Sequence, residues 1–320
     1  MRTDGGVPER ERPPKVFQTY SEQVRLLQSR GMQVADPALA ESVLRTTNYY
    51  RLSGYWYPYR RRHLDGEGMS NTFLEGTSFD DVMALYEFDA RLRAAVLAAL
   101  GPIELAMRAL LGHELGRIDP CAHLEPRLLG PTARVQGSAA EPSLQYRRWF
   151  TRHAEDVRCS REDFVAHHRE HYGSKLPIWA AVEVMDWGSL SALYRLSPLK
   201  VQTVLAESVG LSSAQLGSWL KSMNMLRNYA AHQGRMYNRV YTLVPKLPRS
   251  AHPDFPAGGE DENARCFTQL TVVQYLVRTL GVGKARLLPA VLRSFPSVAR
   301  LDITSMGAPD GWERQSLWSS

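Results

Sequence analysis

Cysteine is scarce in this chain: Cys121, Cys159 and Cys266 stand far apart, and no two of them form a C-x-x-C pair. An odd, scattered set builds no disulfide framework and no cysteine zinc site, and it suits a reducing compartment. Long apolar runs are also missing. Stretches such as Ala94 to Leu100 fall well short of the ~20 residues a membrane helix needs. Met1 to Pro14 is polar, with charges of both signs and no apolar centre for a signal peptide, so it reads as a disordered arm. These absences point to a cytoplasmic protein without a membrane partner. Glycine-rich phosphate loops, a Ser-His-Asp arrangement and H-E-x-x-H are absent too, which leaves nucleotide hydrolysis and metalloprotease chemistry without support. The last absence is local. Between Ser208 and Pro253 there is no Asp or Glu, while Lys221, Arg227, Arg235, Arg239, Lys246 and Arg249 are present.

What is present is mainly helix signal. With 320 residues, 44% of them hydrophobic, the chain can bury a substantial core. The 39 Lys and Arg against 33 Asp and Glu give a formal charge of +6, a weak preference for polyanionic partners. Ser78 with Asp81 resembles a capping box, and Val82, Leu85, Phe88, Leu92 and Val96 recur at helical spacing, predicting a helix from Ser78 to Arg117 that Gly101-Pro102 should kink or split. Shorter helices are predicted from Ser21 to Gly31, and from Asp36-Pro37 through Leu44. Ser160 with Asp163 offers a further cap, and helices are expected over Ile178 to Arg195, Pro198 to Val209, Ser212 to about Tyr241, Phe267 to Leu280 and Lys284 to Phe295. Composition places long loops near 119–142 and 248–263, and the only strand signal is a minor hairpin near Val240 to Val244. The expectation is an all-α fold: one helical domain over residues 15–320.

The basic segment carries the chemistry. If the helix continues through Asn238, then Asn228, His232 and Arg235 stand at i, i+4 and i+7 on one face, with Arg227 on its flank. Cleaving RNA without a metal needs a base for the 2′-hydroxyl proton, an acid for the leaving 5′-oxygen and a cation for the phosphate. Imidazole suits either proton-transfer step and guanidinium suits phosphate, while Asn228 can orient His232 or contact the sugar. A solvated basic helix with a hydrogen-bonded His232 accounts for the same spacing.

Other features stay open between binding and packing. Tyr49, Tyr50, Tyr55, Trp56, Tyr57 and Tyr59 lie among Arg51, Arg60, Arg61 and Arg62, a mixture able to stack bases and hold phosphates of single-stranded RNA. For Tyr50 and Trp56 the core is the better reading. His167 and His171 have a metal-compatible spacing, but no obvious further ligand completes a site, and no metal or cofactor is expected. Glu104 and Arg108, four apart, are expected to form an intrahelical ion pair, or, if that face lines the Arg227 helix, Glu104 can orient Arg227 or His232.

The run Arg227-Asn228-Tyr229-Ala230-Ala231-His232-Gln233-Gly234-Arg235-Met236-Tyr237-Asn238-Arg239 resembles the signature of the Abi-like abortive-infection proteins, the group containing AbiD and AbiF, whose pattern is Arg-Asn-x-x-Ala-His-x-x-Arg-x-x-Asn-Arg. The likeness continues, in order, at Tyr50-Arg51-Leu52-Ser53-Gly54-Tyr55-Trp56, at Leu85 to Asp89 with Leu92-Arg93, at Ile103-Glu104 with Arg108, at Pro177-Ile178-Trp179 with Glu183, at Ser218-Trp219-Leu220, and at Met306 to Pro309 with Trp312. The resemblance implies the HEPN superfamily: a helical bundle, here with added N- and C-terminal helices, whose Arg-x4-6-His motif cuts RNA without a metal, commonly across a homodimer. It thereby implies phage defence or toxin-antitoxin biology, catalytic roles for Arg227, His232 and Asn228, and in some relatives restraint by a small noncoding RNA. Arg235, Asn238, Arg239, Glu104 and Arg108 are then supporting residues, and Arg60, Arg61, Arg62 and Lys221 are candidates for holding RNA. A non-catalytic RNA-binding or RNA-sensing module is the alternative.

Overall fold

The computed structural model describes residues 15–63, 68–138, 140–173, 175–248, 255 and 263–319. The arm expected at 1–14 and nearly all of the loop expected at 248–263 lie outside the described residues. The described chain is mainly helical, an all-α fold with one small hairpin. It divides into two compact units, Met1–Tyr86 and Glu87–Ser320.

In the first unit, Thr19 and Glu22 close a capping box that starts α1 (Tyr20–Ser29). The Asp36 carboxylate accepts from the Leu39 amide at 3.0 Å and starts α2 (Pro37–Thr46). These two helices pack together and bury Val24, Leu27, Ala40 and Leu44. Next, α3 (Tyr49–Trp56) buries Leu52, Tyr55 and Trp56. Tyr50 does not join that core; it is 64% exposed beneath the Lys15 ammonium. The hairpin pairs β1 (Arg60–Arg62) with β2 (Met69–Phe73), antiparallel and irregular between Arg60 and Arg62. Three successive arginines show no alternation, so periodicity could not reveal this strand. At Val240, where alternation suggested a hairpin, there is a lone bridge to Arg265.

The longest helix, α4 (Phe79–Gly116), has 38 residues and begins where Ser78 Oγ accepts from the Asp81 amide. Pro102 sits inside it without splitting it. Contrary to the run-length reading, one 18-residue window of α4 has a mean hydropathy of 1.7, so by length and composition it could cross a membrane. Single charged residues interrupt its apolar runs, which is why no run looked long. Its buried side chains, Leu92, Val96, Leu100, Ile103, Met107 and Leu111, recur at three- and four-residue steps as on a core-facing helix.

The second unit adds α5 (Leu144–Cys159), α6 (Asp163–His171), α7 (Ile178–Ala181), α8 (Trp187–Leu196), α9 (Leu199–Glu207), α10 (Ser213–Ala231), α11 (Cys266–Leu280) and α12 (Leu287–Arg293). The helix expected over 178–195 is broken, because Asp186 accepts from the Ser189 amide at 2.7 Å and restarts the chain as α8. Ser160 does not cap α6; its hydroxyl accepts from the Glu162 amide. Three 3₁₀ turns, Ala122–Leu124, Pro126–Leu128 and Pro131–Ala133, lie within the loop expected near 119–142. α10 packs on α8, α9 and α11 and buries Leu216, Trp219, Leu220, Met223 and Leu226. The Trp187 indole ties α8 to it by donating to the Leu220 carbonyl at 2.8 Å. That burial turns Lys221 and Asn228 outward.

Candidate functional site

The motif occupies the end of α10 and the chain just beyond it. Expected to run to about Tyr241, the helix stops at Ala231, with His232 as its C-cap. Gln233 turns left-handed (φ 57°), and the Gly234 and Gln233 amides donate back to the Tyr229 and Ala230 carbonyls at 2.7 and 3.3 Å. This is a Schellman ending, with glutamine in the left-handed place. Gly234 is needed for space: a Cβ there would lie 2.8 Å from Tyr229 Cδ1 and 3.2 Å from its carbonyl oxygen.

The stop corrects the expected polar stripe. Asn228 and His232 remain four apart and exposed, and Arg227 is half-buried beside them with its guanidinium 3.4 Å from Asn228 Oδ1. Arg235 lies past the stop and does not share their face as a helix residue. Instead it donates to the Tyr237 and Asn238 carbonyls at 2.9 and 3.0 Å. Arg239 lies over the Tyr229 ring at 4.2 Å and donates through Nε to the Arg235 carbonyl at 2.7 Å. Asn238, also left-handed (φ 47°), accepts from Arg265 at 3.2 Å. These three supporting residues shape the backbone behind the imidazole.

A buried charge pair on α4 fixes the same segment. Asp89 and Arg93, 0% and 3% exposed, pair at 2.6 Å. The Asp89 carboxylate also accepts from the Met236 amide at 3.2 Å and the Tyr237 amide at 2.7 Å, while Arg93 Nε donates to the Gln233 side chain at 3.1 Å. Bonds to two amides and a guanidinium offset much of the cost of burying the carboxylate. Neither Asp89 nor Arg93 is among the expected site residues. Their signal is an acid and a base four apart on the apolar face of a core helix. Tyr237, buried alongside, has its phenol pushed above the ordinary value, chiefly by burial, so it stays protonated.

The remaining candidates lie elsewhere. Glu104 pairs with Arg108 at 2.6 Å, and Arg108 also donates to the Met185 and Glu183 carbonyls, tying α4 to the turn before α8. Among the described residues, neither Arg227 nor His232 hydrogen-bonds to Glu104. Lys221 is exposed in a groove of about 470 Å³ that Arg195 and Lys246 also line. Arg60, Arg61 and Arg62 belong to the first unit, where Arg61 Nε donates to the Phe73 carbonyl and Arg62 is exposed. His167 and His171 come within 4.6 Å between ring centres, and among the described residues no group of three or more metal-ligating side chains includes them.

The profile of a family described as Abi-like protein matches residues 42–238, a span that takes in α3, Asp89, Arg93 and the motif through Asn238. No curated protein and no solved structure matches the chain.

Proposed function

The chain belongs to the Abi-like protein family, and from that premise we propose that it is a metal-independent endoribonuclease of an abortive-infection defence, acting at the exposed end of α10. The observation that carries this reading is the contrast in burial across the motif. His232 and Asn228 reach solvent with Arg227 beside them, while Met236, Tyr237, Asp89 and Arg93 behind them are buried and mutually bonded. Fixing a surface turn with a buried ion pair supports a purpose for what that turn presents.

In the proposed reaction the 2′-oxygen attacks the phosphorus and the bond to the 5′-oxygen breaks. Products carry a 2′,3′-cyclic phosphate and a 5′-hydroxyl. His232 moves the proton at one of these oxygens, Arg227 offsets charge on the phosphate, and Asn228 contacts the sugar or orients the ring. Because base and acid act together, a second copy of the chain supplies the second imidazole in a homodimer. Restraint by a small RNA, in a toxin-antitoxin arrangement, belongs to the same proposal. The groove with Arg195, Lys221 and Lys246 favours a second reading, RNA binding without cutting, because a basic groove holds phosphates in either case.

The test is purified protein with mixed cellular RNA, with and without EDTA, beside His232→Ala and Arg227→Ala. Cleavage that survives EDTA and falls ~10² to 10⁴-fold in His232→Ala, with unchanged thermal melting, supports the enzyme. Binding without cleavage selects the second reading. Loss of activity in EDTA with recovery in Mg²⁺ refutes the mechanism.

A further inference from the structure

We propose that the cavity between α5 and the segments at 123–124 and 175–176 binds a small anion bearing a planar nitrogen heterocycle, with the size and chemistry of a nucleoside monophosphate. It shares no residue with the Arg227–His232 site. The volume is about 330 Å³, within the range of small-molecule pockets. Leu124, Phe150 and Leu176 make its wall apolar, and two imidazoles line it: His123, 0% exposed, and His153, 3% exposed.

Among the described residues, neither ring nitrogen of His123 has a hydrogen-bond partner, nor does Nδ1 of His153. The rings are nonetheless held in place. His153 stacks on Trp149 with centres 5.2 Å apart and planes 10° apart, and His123 stands edge-on to His153 at 5.4 Å. Trp149 is fixed in turn by donating to the Ser189 carbonyl, and Tyr146 donates to the His123 carbonyl. Rigid groups with unmet bonding capacity are the mark of a prepared site.

The chemistry of an occupant follows from the charge layout. Burial pushes His123 down to about 3, with His153 adding to the shift, and pushes His153 down to about 4, so both rings are neutral near pH 7. A neutral imidazole offers one donor and one acceptor, which calls for a neutral partner offering both. Charge lies with Arg158, Arg169 and Lys175. Arg158 is engaged by Glu155, and Arg169 donates to the Val157 carbonyl. Lys175 forms no ion pair among the described residues and remains for an anion. A nucleobase matches the rings and the flat apolar wall, and a phosphate matches Lys175. An aliphatic carboxylate, an acceptor only, would leave the acceptor nitrogen of each imidazole without a donor and bring no flat face to the wall.

The experiment is calorimetric titration of the full chain with AMP, GMP, CMP and UMP, using ribose 5-phosphate as the base-free control. A nucleoside monophosphate has no phosphodiester to cut, so the result is independent of RNA cleavage. We expect saturable one-to-one binding of at least one nucleotide, weakened about tenfold or more by Lys175→Glu with unchanged melting. His153→Phe should act likewise, while Arg227→Ala leaves the affinity alone. Should His153→Phe fail to fold, Lys175→Glu decides. No saturable binding up to millimolar nucleotide, equal affinity for ribose 5-phosphate, or sensitivity to Arg227→Ala instead of Lys175→Glu overturns the proposal.

Discussion

Asp89→Asn is the sharpest probe of how the motif is held. The substitution keeps an oxygen for the Tyr237 amide, now 2.7 Å from the carboxylate, but leaves the Arg93 guanidinium, 3% exposed, without its counter-charge. Stranding one member of a buried pair costs about 3 to 5 kcal/mol. Set against a total stability of about 5 to 15 kcal/mol, that is a large share, and it falls first on the turn from Gln233 to Tyr237. Urea denaturation gives the global loss, and amide exchange reports whether the Met236 and Tyr237 amides have lost protection. Asp89→Leu with Arg93→Met removes both charges and should recover part of the loss. Recovery should be incomplete, because the two amides then lack an acceptor, at about 1 to 3 kcal/mol each. If Asp89→Asn sits within 1 kcal/mol of the wild type and keeps both amides protected, the clamp has no such role.

Gly234→Ala should cost about 1 to 3 kcal/mol by forcing Tyr229 away from a Cβ at 2.8 Å, displacing the Arg239 stack; an unchanged melt would show that the turn yields freely. His123 and His153 make the fold acid-sensitive. Their folded values of about 3 and about 4 lie below the ordinary 6.5, so the unfolded chain binds more protons below pH 6.5, and stability is full above that value and lost as pH falls toward 4. At pH 5 the loss is about 2 kcal/mol per ring, read as a lower urea midpoint than at pH 7.5; equal midpoints would contradict it. Replacing Arg60, Arg61 and Arg62 by Ala should weaken RNA binding and flatten its salt dependence, and an unchanged slope would leave those residues to the hairpin alone.

The helical class, the capped starts of α2 and α4, and the grouping of Arg227, Asn228 and His232 on one helix were legible in the sequence. Each rests on local signals: a side chain that bonds a nearby amide, or a period of 3.6 residues. The end of α10 was not legible, because glutamine rather than glycine takes the left-handed place and the glycine follows it, its use set by the Tyr229 ring. Nor was the work of Arg235 and Arg239. Side chains that bend back onto carbonyls two to four residues away have the same text as side chains that face solvent. Asp89 lies 147 positions from Met236, and no local pattern reports a bond across that separation.

The early stop of α10 also bears on how the proposed site would tell ribose from deoxyribose. With the ladder closed by Gln233 and Gly234, the carbonyls of Ala231 and His232 have no hydrogen-bond donor among the described residues. A strand docking against the imidazole would meet two acceptors beside a base. Deoxyribose has nothing at its 2′ carbon to give them, whereas a ribose hydroxyl does. Cleavage by 2′-oxygen attack excludes DNA in any case; these carbonyls would add a preference for ribose already at binding, set by the main chain and out of reach of side-chain substitution.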